Sequence, residues 1–205
     1  MPPLYGAGFL WIAASVLWWS GWREESEDRL PDRAAAVFLA GWPLTAWWSR
    51  QVEPGVTING AFAWAGIAML VLLWRLSSGR RWTAVAAGMM IGCLFVLLEK
   101  WPAFERNGFD PSEPWPLALL GGVLLGFLLR TASEQIVALT AALILAEGFA
   151  ALPLRESGYA IIGNAEWMER WWIALLSARL WSWLAAAFVR WFWNPSWNKD
   201  GGRTS

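Results

Sequence analysis

Histidine is absent from the 205-residue chain, cysteine occurs once, and charged residues make up 16% of it. Without imidazole there is no Ser-His-Asp triad, no Cys-His pair, no HExxH zinc site and no histidine proton relay. The lone Cys93 cannot close a disulfide within the chain, and its place in an apolar segment predicts a small buried hydrophobe rather than a reactive thiolate. Sixteen Lys plus Arg balance sixteen Asp plus Glu, and no basic run exceeds Arg80 with Arg81, which argues against a nucleic-acid partner. The first residues lack the basic stretch and small-residue cleavage site of a signal peptide, so the first apolar block is expected to stay as a span. A soluble domain carries about 25% charge, and the charges here sit between long apolar runs.

What fills the space is 57% hydrophobic residues with twenty tryptophans. Seven apolar blocks can be marked, at about 4–22, 34–49, 56–74, 82–98, 115–129, 135–152 and 171–193. At about 1.5 Å rise per residue, roughly 20 residues cross a bilayer core, so the second and fifth blocks are short. Unpaired backbone is not tolerated in lipid, and the blocks lack the alternation of barrel strands, which leaves helices. The reading is an all-α polytopic transmembrane bundle over residues 1–193, followed by a disordered cytoplasmic tail at 194–205.

Basic residues test the count of seven. Seven crossings collect Arg23, Arg29, Arg33, Arg75, Arg80, Arg81, Arg130, Arg190, Lys199 and Arg203 on one side, against Arg50, Lys100, Arg106, Arg155 and Arg170 on the other. Without the second crossing the bias vanishes. The positive-inside rule then sets the N-terminus outside and the C-terminus in the cytoplasm. Fifteen tryptophans lie at or near block ends, among them Trp19, Trp47, Trp74, Trp82, Trp115, Trp167, Trp171, Trp172 and Trp191, as expected of an interfacial anchoring belt.

Local signals mark helix ends. Thr131-Ala-Ser-Glu134 fits a capping box for the sixth helix, Asn164 with Glu166 fits the start of the seventh, and Pro116 suits a first turn of the fifth. Pro43 falls inside the second block, where it should bend the helix and free a carbonyl. Gly88-Met-Met-Ile-Gly92 and Gly122-Val-Leu-Leu-Gly126 have GxxxG spacing, which lets backbones approach closely. The simplest reading packs helices four and five together; self-association through one of these faces is the alternative.

Glu147 and Arg179 fall within the sixth and seventh blocks, at depths that differ by roughly 4 to 5 Å when counted from the block ends. Ionisable groups at such depth are costly and face inward. They form a candidate polar pair that either fixes helix register or makes a site, with Glu147 binding a cation or proton, or Arg179 holding a lipid or anionic headgroup. Arg190 should snorkel to the cytoplasmic interface. The stretch 153–170 reads equally as an interfacial segment or an ordinary connector. Glu24-Glu25-Ser-Glu-Asp-Arg29 matches the EExxxR string of membrane-embedded CAAX-type proteases, which also need histidines this chain lacks. Glu99 with Glu105 is a remote acidic pair for lipid chemistry.

Three charged junctions carry a resemblance: Ser20-Gly21-Trp22-Arg23-Glu24, the RTASEQ stretch from Arg130 to Gln135, and Glu169-Arg170-Trp171-Trp172-Ile173-Ala174-Leu175 leading to Ala178-Arg179-Leu180. These are similar to the YphA-like membrane proteins of endospore-forming Firmicutes. The resemblance implies a bacterial cytoplasmic-membrane protein linked to sporulation or spore envelope assembly, and it supplies no catalytic residues. The expected function is therefore a non-enzymatic structural or accessory membrane protein, without cofactor or metal, with the lipid bilayer and a membrane-protein partner or second copy as its contacts. The alternative is a small transporter or channel component built on Glu147 and Arg179.

Overall fold

A computed structural model describes residues 3–19, 32–53, 55–100, 113–157 and 160–193. The junction at 20–24, the acidic string at 24–29, Glu105 and the tail at 194–205 lie outside the described residues, as do Trp22, Trp101 and Trp197. Seven helices occur among the described residues: α1 (Pro3–Trp19), α2 (Asp32–Ala46), α3 (Gly60–Arg75), α4 (Ser78–Glu99), α5 (Trp115–Leu128), α6 (Ala132–Ser157) and α7 (Ala165–Trp193). Three helical stretches are long and apolar enough to cross a membrane, namely Ser78–Glu99, Ala132–Leu152 and Ala165–Phe192. Gly6–Trp19, Gly60–Arg75 and Trp115–Leu128 are shorter apolar stretches.

The all-α expectation needs one correction. Residues 56–59 are not the head of a helix but strand β2 (Val56–Asn59), paired antiparallel with β1 (Ser49–Glu53) and parallel with β3 (Ala160–Ile162). Val56-Thr57-Ile58 is β-branched throughout, and Gly55 supplies the positive φ of 87° that the tight hairpin connection demands. Asn59 then serves both neighbours: its Oδ1 accepts from the Ala61 N–H at 2.8 Å to cap α3, and its Nδ2 donates to the Ala46 carbonyl at 3.1 Å at the end of α2.

Contacts sort the helix ends. The end of α2 and the start of α3 meet at the sheet, where the Thr45 carbonyl lies against Gly60, and the start of α1 lies there too, with Gly6 against Glu169. The end of α3 and the starts of α4 and α6 meet at the opposite end, through a Leu76, Ala84 and Val137 cluster and an Arg80–Glu134 ion pair at 2.7 Å. Thr131 Oγ1 accepts from the Glu134 N–H at 3.4 Å and Asn164 Oδ1 from the Trp167 N–H at 2.8 Å, so both anticipated N-caps form. The Glu134 carboxylate, however, reaches out to Arg80 on α4.

Four small-residue pairs organise the core, and not as a contact between helices four and five. On α4, a Cβ on Gly88 would come 2.5 Å from the Ala138 carbonyl, and one on Gly92 would come 2.8 Å from that of Ala142, both on α6. On α5, Gly122 abuts Ala174 and Ser177, and a Cβ on Gly126 would come 2.9 Å from the Ala178 carbonyl, all on α7. Each GxxxG therefore meets an AxxxA on a parallel helix two helices later in the chain. A small-residue face is indifferent to its partner, so spacing along one helix could not select between these pairings. Both glycine faces are covered within the chain, which removes them as faces for self-association.

Two expectations about individual side chains also change. Trp42, Trp167, Trp171 and Trp172 are at most 3% exposed and form a central aromatic cluster, with ring centroids 4.8 Å apart for Trp42 and Trp171 and 5.1 Å for Trp42 and Trp172. Trp167, Trp171 and Trp172 are thus core residues rather than part of a belt, whereas Trp19, Trp47, Trp74, Trp82 and Trp191 are well exposed in the manner of interfacial anchors. Cys93 is exposed on the outer face of α4, not buried in the bundle.

Pro43 acts as its chemistry requires. Lacking an N–H, it leaves the Leu39 carbonyl, four residues earlier, without its helical donor. Trp11 Nε1 on α1 fills that place at 2.8 Å, while Trp64 Nε1 on α3 donates to the Phe38 carbonyl at 3.1 Å. The break in α2 is thus where α1 and α3 fasten to it.

Candidate functional site

Two cavities hold the ionisable side chains of interest. The first, about 390 Å³, lies at the sheet end between α4, α6, β3 and α7, and is lined by Glu99, Glu147, Asn164, Glu166, Trp167 and Arg170 with Ala146, Ala150 and Ala160. Its shape follows from local sequence. Gly163 takes a positive φ of 75° and sits so close to Phe62 that no side chain fits, and this turn aims its N–H at Glu147 Oε1, 3.2 Å away. Arg170, six residues after the Asn164 cap, reaches across to Glu99 at the end of α4. The cavity therefore contains a carboxylate held by backbone, a second carboxylate paired with a guanidinium, and a third, Glu166, that is exposed.

The second cavity is a side groove of about 320 Å³ between α1, α2, α3, α6 and α7, apolar among the described residues apart from Arg179. Glu147 and Arg179 are thus not partners. On the antiparallel helices α6 and α7, Trp171 Nε1 donates to Thr140 Oγ1 at 3.1 Å, and Gln135 Nε2 donates to Ser182 Oγ at 2.7 Å. From the Thr140–Trp171 contact, Glu147 lies seven residues toward the sheet and Arg179 eight residues the other way, a separation of roughly 20 Å along the bundle. Depth counted from the apolar blocks misled because α7 begins at Ala165, six residues before the seventh block, and because α6 runs on to Ser157, ten residues past Glu147, which already meets Gly163 at the α7 start. The cation that shares the Glu147 cavity is Arg170.

Between the cavities lies the tryptophan cluster. Trp167 lines the polar cavity and Trp172 lines the groove, with Trp42 and Trp171 packed between them. Sequence reasoning missed this cluster, and also Gln135 and Thr140, both fully buried on α6. Gln135 Nε2 additionally donates to the Leu129 carbonyl at 2.8 Å, so one side chain joins the end of α5, α6 and α7. The signal was present in the RTASEQ stretch: Thr131 caps, Glu134 pairs with Arg80 and Gln135 spans three helices. Within the Glu169 to Leu175 stretch, Arg170 fastens α7 to α4 and the paired tryptophans enter the core.

Chemically, these groups tie helices together. Among the described residues no group of three His, Cys, Asp or Glu side chains is arranged to hold a metal ion. The model of a family described as YphA-like integral membrane protein matches residues 49–201, well over half of the chain. No curated protein and no solved structure gives a match.

Proposed function

Because the chain belongs to the YphA-like integral membrane protein family, we propose that it is a seven-span, non-enzymatic structural or accessory protein of the bacterial cytoplasmic membrane, serving spore envelope assembly. The observation that carries this reading is the tryptophan cluster, whose buried indole rings are packed between the cavity at Glu147 and the groove at Arg179. The polar side chains at the helix junctions are engaged in fastening one helix to another, as suits a scaffold. The sheet end lies outside and the opposite end inside: Arg33, Arg75, Arg80, Arg81 and Arg130 gather at the latter, against Arg50, Lys100 and Arg170 near the sheet. The short α5 crosses by local thinning of the bilayer and through its close packing on α7.

Orientation is tested with single cysteines in a Cys93→Ala background. A membrane-impermeant maleimide added to intact cells should label Ser49→Cys, and should label Ser77→Cys only after permeabilisation; the reverse pattern overturns the assignment. The role is tested by heat-resistant spore yield in a deletion strain of a sporulating host. A deletion defect restored equally by wild type and by Glu147→Gln is the expected result, since the amide oxygen can still accept from Gly163. The polar cavity favours one other reading, a transporter component acting through Glu147. Failure of Glu147→Gln to restore yield, at normal membrane abundance, would put that reading first, and absence of any deletion defect would end the sporulation assignment.

A further inference from the structure

The groove that contains Arg179 has the chemistry of a lipid site. Val37, Ile67 and Val71 at its rim are each more than half exposed, so its mouth opens on the outer face of the bundle, where a membrane protein meets acyl chains. Its volume of about 320 Å³ falls at the small end of ligand cavities, roughly 300–1,000 Å³. A packed helix, about 10–12 Å across, does not fit a space of that size. Among the described residues the lining is hydrocarbon and indole apart from one ionisable side chain, Arg179, toward the α6-start end.

A second donor faces the same occupant. Trp172 lines the groove, is 1% exposed, and its Nε1–H has no hydrogen-bond partner among the described residues. It lies seven residues before Arg179 and so shares its face of α7, about 10 Å deeper into the bundle. A buried indole N–H normally finds an acceptor. A cation toward the α6-start end of the groove and a neutral donor about 10 Å nearer the sheet, on an otherwise apolar wall, complement a molecule with an anionic head, a neutral acceptor next to it and a hydrocarbon tail. We infer that the groove binds an anionic phospholipid of the inner leaflet, with its phosphate at Arg179, an ester carbonyl toward Trp172 and an acyl chain along α2 and α3. This goes beyond the accessory role and does not depend on it, because a transporter component could hold the same lipid.

Native mass spectrometry of the full chain, purified in detergent, provides the test. Dioleoylphosphatidylglycerol and dioleoylphosphatidylcholine, which carry identical chains, are supplied at equal concentration. The wild type should retain the anionic lipid at least five-fold over the zwitterionic one at one-to-one stoichiometry. Arg179→Gln should bring that ratio close to one, Ala68→Phe should reduce binding of both lipids by filling the groove, and Arg190→Gln, further along α7, should leave the preference intact. Equal retention of the two lipids by the wild type overturns the proposal without any variant having to fold. So does a loss of preference with Arg190→Gln as large as that with Arg179→Gln, which would mean diffuse surface attraction. Retention of free inorganic phosphate in place of the lipid overturns it as well.

Discussion

Gly88→Val and Gly122→Val should each lower the yield of folded, monodisperse protein by tenfold or more. At Gly88 even a single methyl would sit 2.5 Å from the Ala138 carbonyl and 3.0 Å from its Cα. Gly122 is closer still to the Ala174 carbonyl and to Ser177 Oγ. The atoms struck are mostly backbone, which cannot rotate away, so the α4–α6 and α5–α7 pairs must separate. Overpacking of a tight contact typically costs about 1–3 kcal/mol, and contact with two rigid backbones lies at or beyond the top of that range. Helix separation in a membrane is especially costly because van der Waals packing is a main force holding such pairs together. Gly66→Val is the control: a Cβ there has nothing within 4 Å, so it reports only the change in helix propensity, in which valine is better than glycine by about a few tenths of a kcal/mol, and its yield should not fall. Fluorescence-detected size exclusion of detergent extracts measures all three. An equal loss at Gly66 would mean that the paired packing does not set the yield.

The same glycines show where sequence reading reaches and where it stops. Helix ends were legible at Thr131 and Asn164 because a cap is an interaction over three residues. The close-packing faces of α4 and α5 were legible for the same local reason. Their partners were not, because the complementary Ala138 and Ala142 or Ala174 and Ala178 look like ordinary apolar helix until a glycine is laid against them. The hairpin at 49–59 was concealed by hydropathy: Val56 and Ile58 extend the apolar run of α3, although Pro54-Gly55 is a turn signal that splits it. Tryptophan was misleading in a different way. An indole at a span's end suits either the interface or the core, and Trp171 and Trp172 turn inward because the true start of α7 lies six residues earlier. That same shift moved Arg179 away from Glu147 and brought Arg170 beside it, so the site's residue types were readable while their pairing was not.

Trp11→Phe should destabilise the bundle by about 1–3 kcal/mol, and most of that loss should disappear when Pro43 is also replaced by alanine. The first effect follows from the Leu39 carbonyl. Pro43 cannot supply the i+4 N–H, and Trp11 Nε1 at 2.8 Å is the donor that takes its place. Phenylalanine keeps the ring but removes the donor, leaving a carbonyl in an apolar setting at the price of its desolvation. The second effect separates this account from loss of packing. Pro43→Ala restores a backbone N–H directed at Leu39, so the indole becomes redundant and the two substitutions couple by about 1–2 kcal/mol. If instead Trp11 matters through ring contact, the cost of Trp11→Phe is small and unchanged in the Pro43→Ala background. Thermal unfolding of the four proteins in one detergent, followed by helical circular dichroism, gives the cycle. Coupling also bears on why a proline sits inside α2 at all: the carbonyl it frees is a polar anchor that a regular helix would not offer, and α1 uses it to dock on α2. Trp64→Phe is expected to show weaker coupling to Pro43→Ala, because the Phe38 carbonyl it meets at 3.1 Å can still accept from the N–H of Trp42.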